Sequence, residues 1–333
     1  MQNMKKVIVT GGAGFIGSHL VERLIQEEFF VVVLDNFSTG RKKNLSHLGD
    51  PKNLSVIEID VADYDKIAPH FKDVEWVFHL AALAYVVPSI DRPLDYYHSN
   101  FTATTSVLEA SRQAGVKKFI YAASSSCYGL TKTYPTPETA AVAPEYPYAL
   151  TKFLGEQCLL HWGQVYKLPV ISLRLFNVFG PRARTAGTYG AVFGVFLAQK
   201  RNGKPFTIVG DGTQKRDFIF VTDVIEAFLK AACSNVQHEI FNIGSGKPTS
   251  VNRIAELLNG EKVFVPKRPG EPEITHADIS KVRKELNWEP VVTIEKGVNI
   301  LLGHMDDFKD SPVWTPETIQ EATKNWFALL ERS

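Results

Sequence analysis

The sequence predicts a doubly wound α/β protein, a parallel sheet covered by helices on both faces, with a smaller C-terminal α/β domain. Three observations carry this. Short apolar, β-branched runs alternate with helical patterns through the first half of the chain. The first run, Val7-Ile8-Val9-Thr10, feeds directly into Gly11, Gly14 and Gly17, spaced by three. The second run ends in an acid, Asp35, some twenty residues on.

Residues 6–10, 30–34, 54–59, 75–80, 117–122 and 169–174 are predicted strands with helices between them. Strands that are apolar throughout and joined by helices imply a parallel sheet buried on both sides, with ligands at the carboxyl ends of the strands. In the first turn Gly11 allows a sharp exit from the strand, Gly14 lets backbone N–H groups approach a pyrophosphate, and Gly17 lets the helix press on the sheet. A helix over 18–27 and a strand over 30–34 follow, and Asp35 is placed to hold a ribose hydroxyl. This is a Rossmann-type dinucleotide site, with NAD expected over NADP because a carboxylate repels a 2′-phosphate.

After Asn177 the pattern loosens into Gly180-Pro181-Arg182 and a glycine-spaced stretch to Gly194, then a helix through Arg201. We therefore expect an NAD-binding domain over 1–176, with returning strands near 216–245 (216–221 and 240–244), and a mainly substrate-binding domain over 177–333. A terminal amphipathic helix over 316–331 is expected from Thr315 as its cap, Pro316 as its first residue, and Ile319, Ala322, Trp326 and Leu330 at helical spacing.

Composition excludes several classes. The 333 residues carry 37 Lys and Arg against 36 acids, so no basic field favours nucleic acid. Small-molecule partners are expected. No apolar run reaches the length of a membrane span, and the first strand begins too early for a signal peptide. Cys127, Cys158 and Cys233 lie far apart, which points to a reducing, cytoplasmic setting and away from a structural zinc.

Tyr148 and Lys152 lie four residues apart, on one face of a predicted helix. A free phenol titrates near ~10, too high for a base at neutral pH. The Lys152 ammonium and a cationic nicotinamide are both expected to lower it. The pair follows the fifth predicted strand, whose end carries Ser124-Ser125-Ser126-Cys127-Tyr128-Gly129. Ser124, Tyr148 and Lys152 are therefore the candidate catalytic group. His79, at a strand end, reads as a core histidine.

These motifs resemble the extended short-chain dehydrogenase/reductase family, specifically its nucleotide-sugar epimerase and dehydratase branch. The resemblance spans nearly the whole chain. It rests on the glycine motif from Gly11 through Phe15, Ile16 and Gly17, on Asp35-Asn36, Asp60-Val61, His79-Leu80-Ala81-Ala82, Asn100, Ser124, Tyr148 with Lys152, the run from Arg174 to Arg182, and the run from Gly210 to Asp217. It implies that Asp35 and Asn36 bind the adenosine ribose, that Asp60 and Val61 bind the adenine, and that Leu80, Ala81, Ala82 and Asn100 border the cofactor. It further implies that Asn177, Arg216 and Arg268 hold a nucleotide diphosphate, as the planar donor fork of arginine suits. Without that context Arg216 reads equally well as an ion pair with Asp217 or Asp211.

Members that dehydrate a hexose carry an Asp-Glu pair directly after the catalytic hydroxyl; Ser125 and Ser126 stand there instead. Neither is an acid or base at neutral pH. Members that epimerise beside a carbonyl place a cysteine at the position of Ser126. Cys127 is one residue off and reads as packing.

The resemblance then implies an NAD-dependent 4-epimerase of a UDP-hexose or UDP-N-acetylhexosamine, acting through a transient 4-keto sugar. A sugar dehydrogenase or 4-ketoreductase and a uronate 4-epimerase are the alternatives, and a non-catalytic NAD sensor the third. The run from Ala81 to Ser89, with Ala84 where glucose enzymes hold lysine, is more similar to hexosamine and uronate enzymes. Thr275 aligns with the position that limits room at the sugar's C2 substituent. A homodimer is implied through the helix after Asn100 and the helix bearing Tyr148, with Val107, Leu108, Phe153 and Leu154 as its apolar positions.

Overall fold

The computed structural model describes residues 4–183, 191–309 and 311–330. Seven parallel strands form one sheet, in the order Glu239–Ile243, Val170–Leu175, Lys118–Ser124, Val74–His79, Lys6–Thr10, Phe30–Asp35, Leu54–Glu58. Chain order reverses direction beside the first strand, which places a crevice at the carboxyl ends there.

Adjacent residues of one strand explain the two-sided burial. Val7 and Val9 enter one apolar cluster, and Ile8 between them enters another on the opposite face. Helix Phe15–Gln26 covers one face with Leu20, Val21 and Leu24, and helix Ala103–Ala114 covers the other with Val107 and Leu108.

The first helix begins three residues earlier than the expected 18–27, because extended Gly14 is its N-cap. Gly17 must lack a side chain: a Cβ there would sit 2.2 Å from the Gly11 carbonyl oxygen. Gly11 itself has φ +69°, and a Cβ would meet the Ala81 backbone at 2.7 Å. The turn is thus pressed against both its own helix and the loop after the fourth strand.

Beyond residue 176, apart from Glu239–Ile243, the strands are short and pair among themselves. Asn177–Phe179 pairs with Phe218–Phe220, Phe206–Val209 with Lys262–Val265, and Lys215–Arg216 with Thr249–Ser250. Their core is aromatic, with Phe179 stacked on Phe193 at 4.6 Å and Phe196 on Phe206 at 4.7 Å.

The expected strand over 216–221 is interrupted. Asp217 turns inward and its carboxylate accepts from Ser245 N, Gly246 N and Ala277 N, splitting the run into two short strands outside the large sheet. Helix Val221–Cys233 then returns to the sheet, where Phe228 meets Phe78. Of the two expected returning strands, only Glu239–Ile243 joins the sheet.

The terminal segment is two helices rather than one, Pro316–Ala322 and Lys324–Leu330. Thr315 caps the first with a capping box. At the break, Thr323 turns its hydroxyl back to the Ile319 carbonyl at 2.8 Å, a local bond that competes with helix continuation. Among the described residues, no helix is long and apolar enough to cross a membrane.

Candidate active site

Three strand ends and the loop region after residue 266 converge on a cavity of about 540 Å³. Phe15, Ile16, Leu80 and Ala82 line it from the nucleotide side, Ser124, Tyr148 and Lys152 from the middle, and Asn177, Arg216, Arg268 and Thr275 from the far side.

The glycine turn suits a pyrophosphate. Its N-cap, Gly14, brings no side chain to the first N–H groups of the helix, so that positive end stays open to an anion. Asp35 is buried at the end of the second strand; its carboxylate accepts from Ala13 N at 2.9 Å and Phe37 N at 2.8 Å. Burial raises its pKa, against those two bonds. The acid therefore braces the glycine turn. Asn36 accepts from Ser38 N. Asp60 accepts from Ala62 N and pairs with His98 at 3.0 Å, and Val61 is buried beside it.

Leu80 N and Ala81 N both donate to Thr10 Oγ1 at 3.2 Å, fixing the groove wall to the first strand. Asn100, by contrast, is wholly buried in a π-turn, Tyr97–Thr102. Its amide accepts from Leu83 N and donates to the Leu83 carbonyl and to Thr151 Oγ1, and Thr151 donates to the Tyr148 carbonyl. The side chain ties the groove loop to the helix of Tyr148.

Ser124 ends the fifth strand and caps the turn Ser125–Tyr128. Its hydroxyl bonds Ser126 Oγ at 2.8 Å, and the Tyr148 phenol lines the same cavity. Helix Pro147–Tyr166 opens on Pro147 and carries Tyr148 and Lys152 on one face. Burial raises the Tyr148 pKa, opposed by the Ser124 hydroxyl. Burial also lowers Lys152 to about 7, opposed by Glu156 one turn further on.

The Lys152 ammonium lies 4.2 Å over the Tyr121 ring, and burial of the phenol outweighs any lowering of its pKa. Activation of the phenol therefore calls for more positive charge than Lys152 alone contributes.

His79 is fully buried between Thr10 Oγ1 and Thr104 Oγ1, the core role expected of it. Cys127 is buried in the apolar core, with its thiol pushed up to about 12 by desolvation. It is packing, as its register predicts.

On the far side, Arg216 pairs with neither Asp211 nor Asp217. Glu271 lies between the two arginines, 3.7 Å from Arg216 and 3.0 Å from Arg268, all three mostly shielded from solvent. Two guanidinium forks around one carboxylate leave an excess of positive charge suited to phosphate oxygens. Thr275 Oγ1 accepts from Asn177 Nδ2 and Asp217 N, both at 3.0 Å.

Sequence reasoning missed three features. Tyr146 stacks on Tyr148, with ring centroids 6.5 Å apart. Trp326, placed by its spacing on an amphipathic helix, reaches the cavity and meets Tyr146 at 6.2 Å. Beneath Lys152, the pair of Glu156 and Arg174 is buried on both sides. Glu156 was readable, standing four residues after Lys152 on the same helix; its partner on a strand was not.

A dinucleotide turn feeding a Ser-Tyr-Lys group, faced by two arginines, defines a nucleotide-dependent oxidoreductive site. The chain belongs to the NAD dependent epimerase/dehydratase family, whose model matches residues 7–244. It is an NAD-dependent epimerase. The UDP-glucose 4-epimerase of Thermotoga maritima, solved with UDP-glucose, is 35% identical, with a TM-score of 0.85 over 90% of this chain and 98% of its own. The UDP-N-acetylglucosamine 4-epimerase of Methanobrevibacter ruminantium, solved with UDP-N-acetylmuramic acid, is 34% identical with a TM-score of 0.84, covering 91% of this chain and 100% of its own. The UDP-glucuronic acid 4-epimerase of Bacillus cereus, solved with UDP-glucuronic acid and NAD, is 32% identical with a TM-score of 0.84 over 90% and 99%.

Proposed function

We propose that this enzyme inverts C4 of a UDP-hexose or UDP-N-acetylhexosamine through a 4-keto sugar. The observation that carries the reading is the Ser124–Tyr148 pair, with hydroxyls rather than acids at Ser125 and Ser126. Such a site can move a proton at one oxygen, and neither serine is an acid that could protonate a departing C6 hydroxyl. Relatives named for UDP-glucose, UDP-N-acetylglucosamine and UDP-glucuronic acid support the same reaction type.

When bound, NAD supplies a hydride acceptor at C4 and returns the hydride to the same carbon. Tyr148 Oη takes the proton of the C4 hydroxyl and later gives it back. Ser124 Oγ bonds the same oxygen, and Lys152 adds positive charge below the ring. Inversion follows when the sugar turns in the cavity while Arg216 and Arg268 keep hold of the diphosphate. The open helix N-terminus after Gly14 would hold the pyrophosphate, with Asp35 and Asn36 toward the ribose and Asp60 and Val61 toward the adenine. We assign 1–176, with the segments returning near 216–245, to the NAD half and most of 177–333 to the substrate half.

A panel of UDP-glucose, UDP-N-acetylglucosamine and UDP-glucuronate tests the reading. The expected result is C4 epimer formation with no net change in NADH. Steady consumption of NAD or NADH would instead identify a dehydrogenase or ketoreductase.

Thr275 is expected to set room at C2. Thr275→Tyr should lower kcat/KM for acetamido sugars relative to UDP-glucose by roughly tenfold or more. Thr275→Val keeps the volume and removes only the two hydrogen bonds, so it should leave that ratio unchanged. Equal losses on both sugars in Thr275→Tyr would remove Thr275 from sugar selection.

We also propose a homodimer through the helix bearing Tyr148, without the expected contribution of Val107 and Leu108. Val107 and Leu108 are fully buried in the chain's own core, and Phe153 packs against the first core cluster. Leu154, Cys158, Trp162 and Tyr166 form a partly exposed stripe on the helix of Tyr148 at i, i+4 spacing, with Cys158 and Trp162 also resting on the second core cluster. Light scattering should give twice the 37.2 kDa chain mass; the chain mass alone at low micromolar concentration would remove this interface.

A further inference from the structure

The last helix, Lys324–Leu330, touches the substrate side of the cleft at several points. The Trp326 ring lies 5.4 Å from the Arg268 guanidinium carbon, and its Nε1–H donates to the Pro269 carbonyl at 2.6 Å. Leu330 reaches to within 3.7 Å of where a Gly270 Cβ would stand. The same helix is pinned on the opposite wall, where Asn325 Nδ2 donates to Asp91 at 2.8 Å, at the end of helix Val86–Asp91. Trp326 is 3% exposed although it lies far from the chain's main core. A second cavity, of about 490 Å³, opens on the other side of the same loop and is bordered by Phe327 and Lys267. Arg268 borders both cavities, with the indole over its guanidinium and Glu271 beside it.

We propose that Trp326 is a positioning residue for Arg268, and that the terminal helix is a strap holding the arginine loop across the cleft. An indole face is a favourable seat for a guanidinium and restricts it without using its N–H donors. The indole face takes none of the fork's N–H donors, and Glu271 is the carboxylate that a phosphate would replace or join. The donated bond to Pro269 fixes the backbone one residue away, so both ends of the Arg268 side chain are constrained. A long side chain held in its binding rotamer loses less entropy when the ligand arrives. Asn325 sets where the strap lies, which makes the grip on diphosphate depend on the nucleotide-side wall.

The inference rests on the proposed role of Arg268 toward a nucleotide diphosphate, so the test begins with binding of UDP to the wild type by calorimetry. Failure of the wild type to bind UDP or any UDP-sugar overturns that role, and the strap with it. Given binding, Trp326→Ala is expected to raise the UDP Kd about tenfold. KM for the sugar nucleotide should rise in parallel, while kcat changes less than threefold and bound NAD stays constant. Trp326→Phe keeps a ring beneath the guanidinium and should recover most of the affinity. In an Arg268→Ala background, Trp326→Ala should add less than twofold, because the residue through which it acts is gone. An unchanged Kd in Trp326→Ala, or the same tenfold loss with and without Arg268, would overturn the proposal. Where Trp326→Ala fails to retain NAD or to melt cooperatively, Trp326→Leu fills the space without the indole and takes its place in the cycle, with the same outcomes.

Discussion

Tyr148→Phe is expected to reduce turnover by roughly 10² to 10⁴, the range assigned to a positioned acid-base group. The substitution removes the oxygen that exchanges the C4 proton and keeps the ring. That ring has two aromatic neighbours, Tyr146 in a stacked arrangement and Tyr96 edge-on with centroids 6.4 Å apart, and both contacts survive the change. Melting temperature and NAD content should therefore stay near wild type. Ser124 would keep its bond to Ser126 at 2.8 Å. Turnover within threefold of wild type in a protein that retains NAD would exclude the phenol from the chemistry. The raised pKa of Tyr148 adds a pH signature. As burial disfavours the phenolate, the base form becomes more populated as pH rises, so single-turnover hydride transfer should speed up with pH in the wild type and lose that dependence in Tyr148→Phe.

The second large effect is on stability. Glu156→Ala should cost about 3–5 kcal/mol, because it strands Arg174 inside the protein. The Arg174 side chain is 3% exposed and Glu156 1%, with Nη2 to Oε1 at 2.6 Å. Ser172 donates to the same carboxylate at 2.7 Å, and Arg174 continues to Tyr128, whose hydroxyl donates to Asn242. The loss should appear as a lower urea midpoint with unchanged slope. Replacing both partners, Glu156→Leu with Arg174→Met, should restore much of the difference, since no charge is left uncompensated. Glu156 also favours the ammonium of Lys152, so its removal should push that lysine's pKa below about 7. A loss under 1 kcal/mol for Glu156→Ala would mean that water reaches the arginine.

The large sheet was legible because its central strands are buried on both faces. Val31, Val33 and Leu34 are apolar regardless of which side they point to, so no register had to be guessed. Strand ends moved by a residue or two, as at Lys118–Ser124 against the expected 117–122. The glycine turn, Ser124, Tyr148 and Lys152 were readable because each sits at a local punctuation: a strand end, a cap or a helical repeat. What escaped was decided by partners far away in the chain. The strand expected over 216–221 gives way because Asp217 collects donors from residues 245, 246 and 277. The burial that raises the Tyr148 pKa cannot be read from spacing alone. Val107 and Leu108 show the same limit: an apolar face on a helix does not say whether it meets its own chain or a second copy.

The order in which strands enter the sheet bears on how the chain is made. Val170–Leu175 is buried throughout and is covered on its outer side only by Glu239–Ile243, which follows more than sixty residues later. At 5–20 residues per second, the ribosome leaves that apolar edge without its neighbour for about 3–13 s. An unpaired, flat, apolar edge is a template for pairing with another chain. A fragment ending near residue 176 would keep that edge indefinitely, so expressing the nucleotide half alone should yield inclusion bodies unless the polypeptide extends past Ile243.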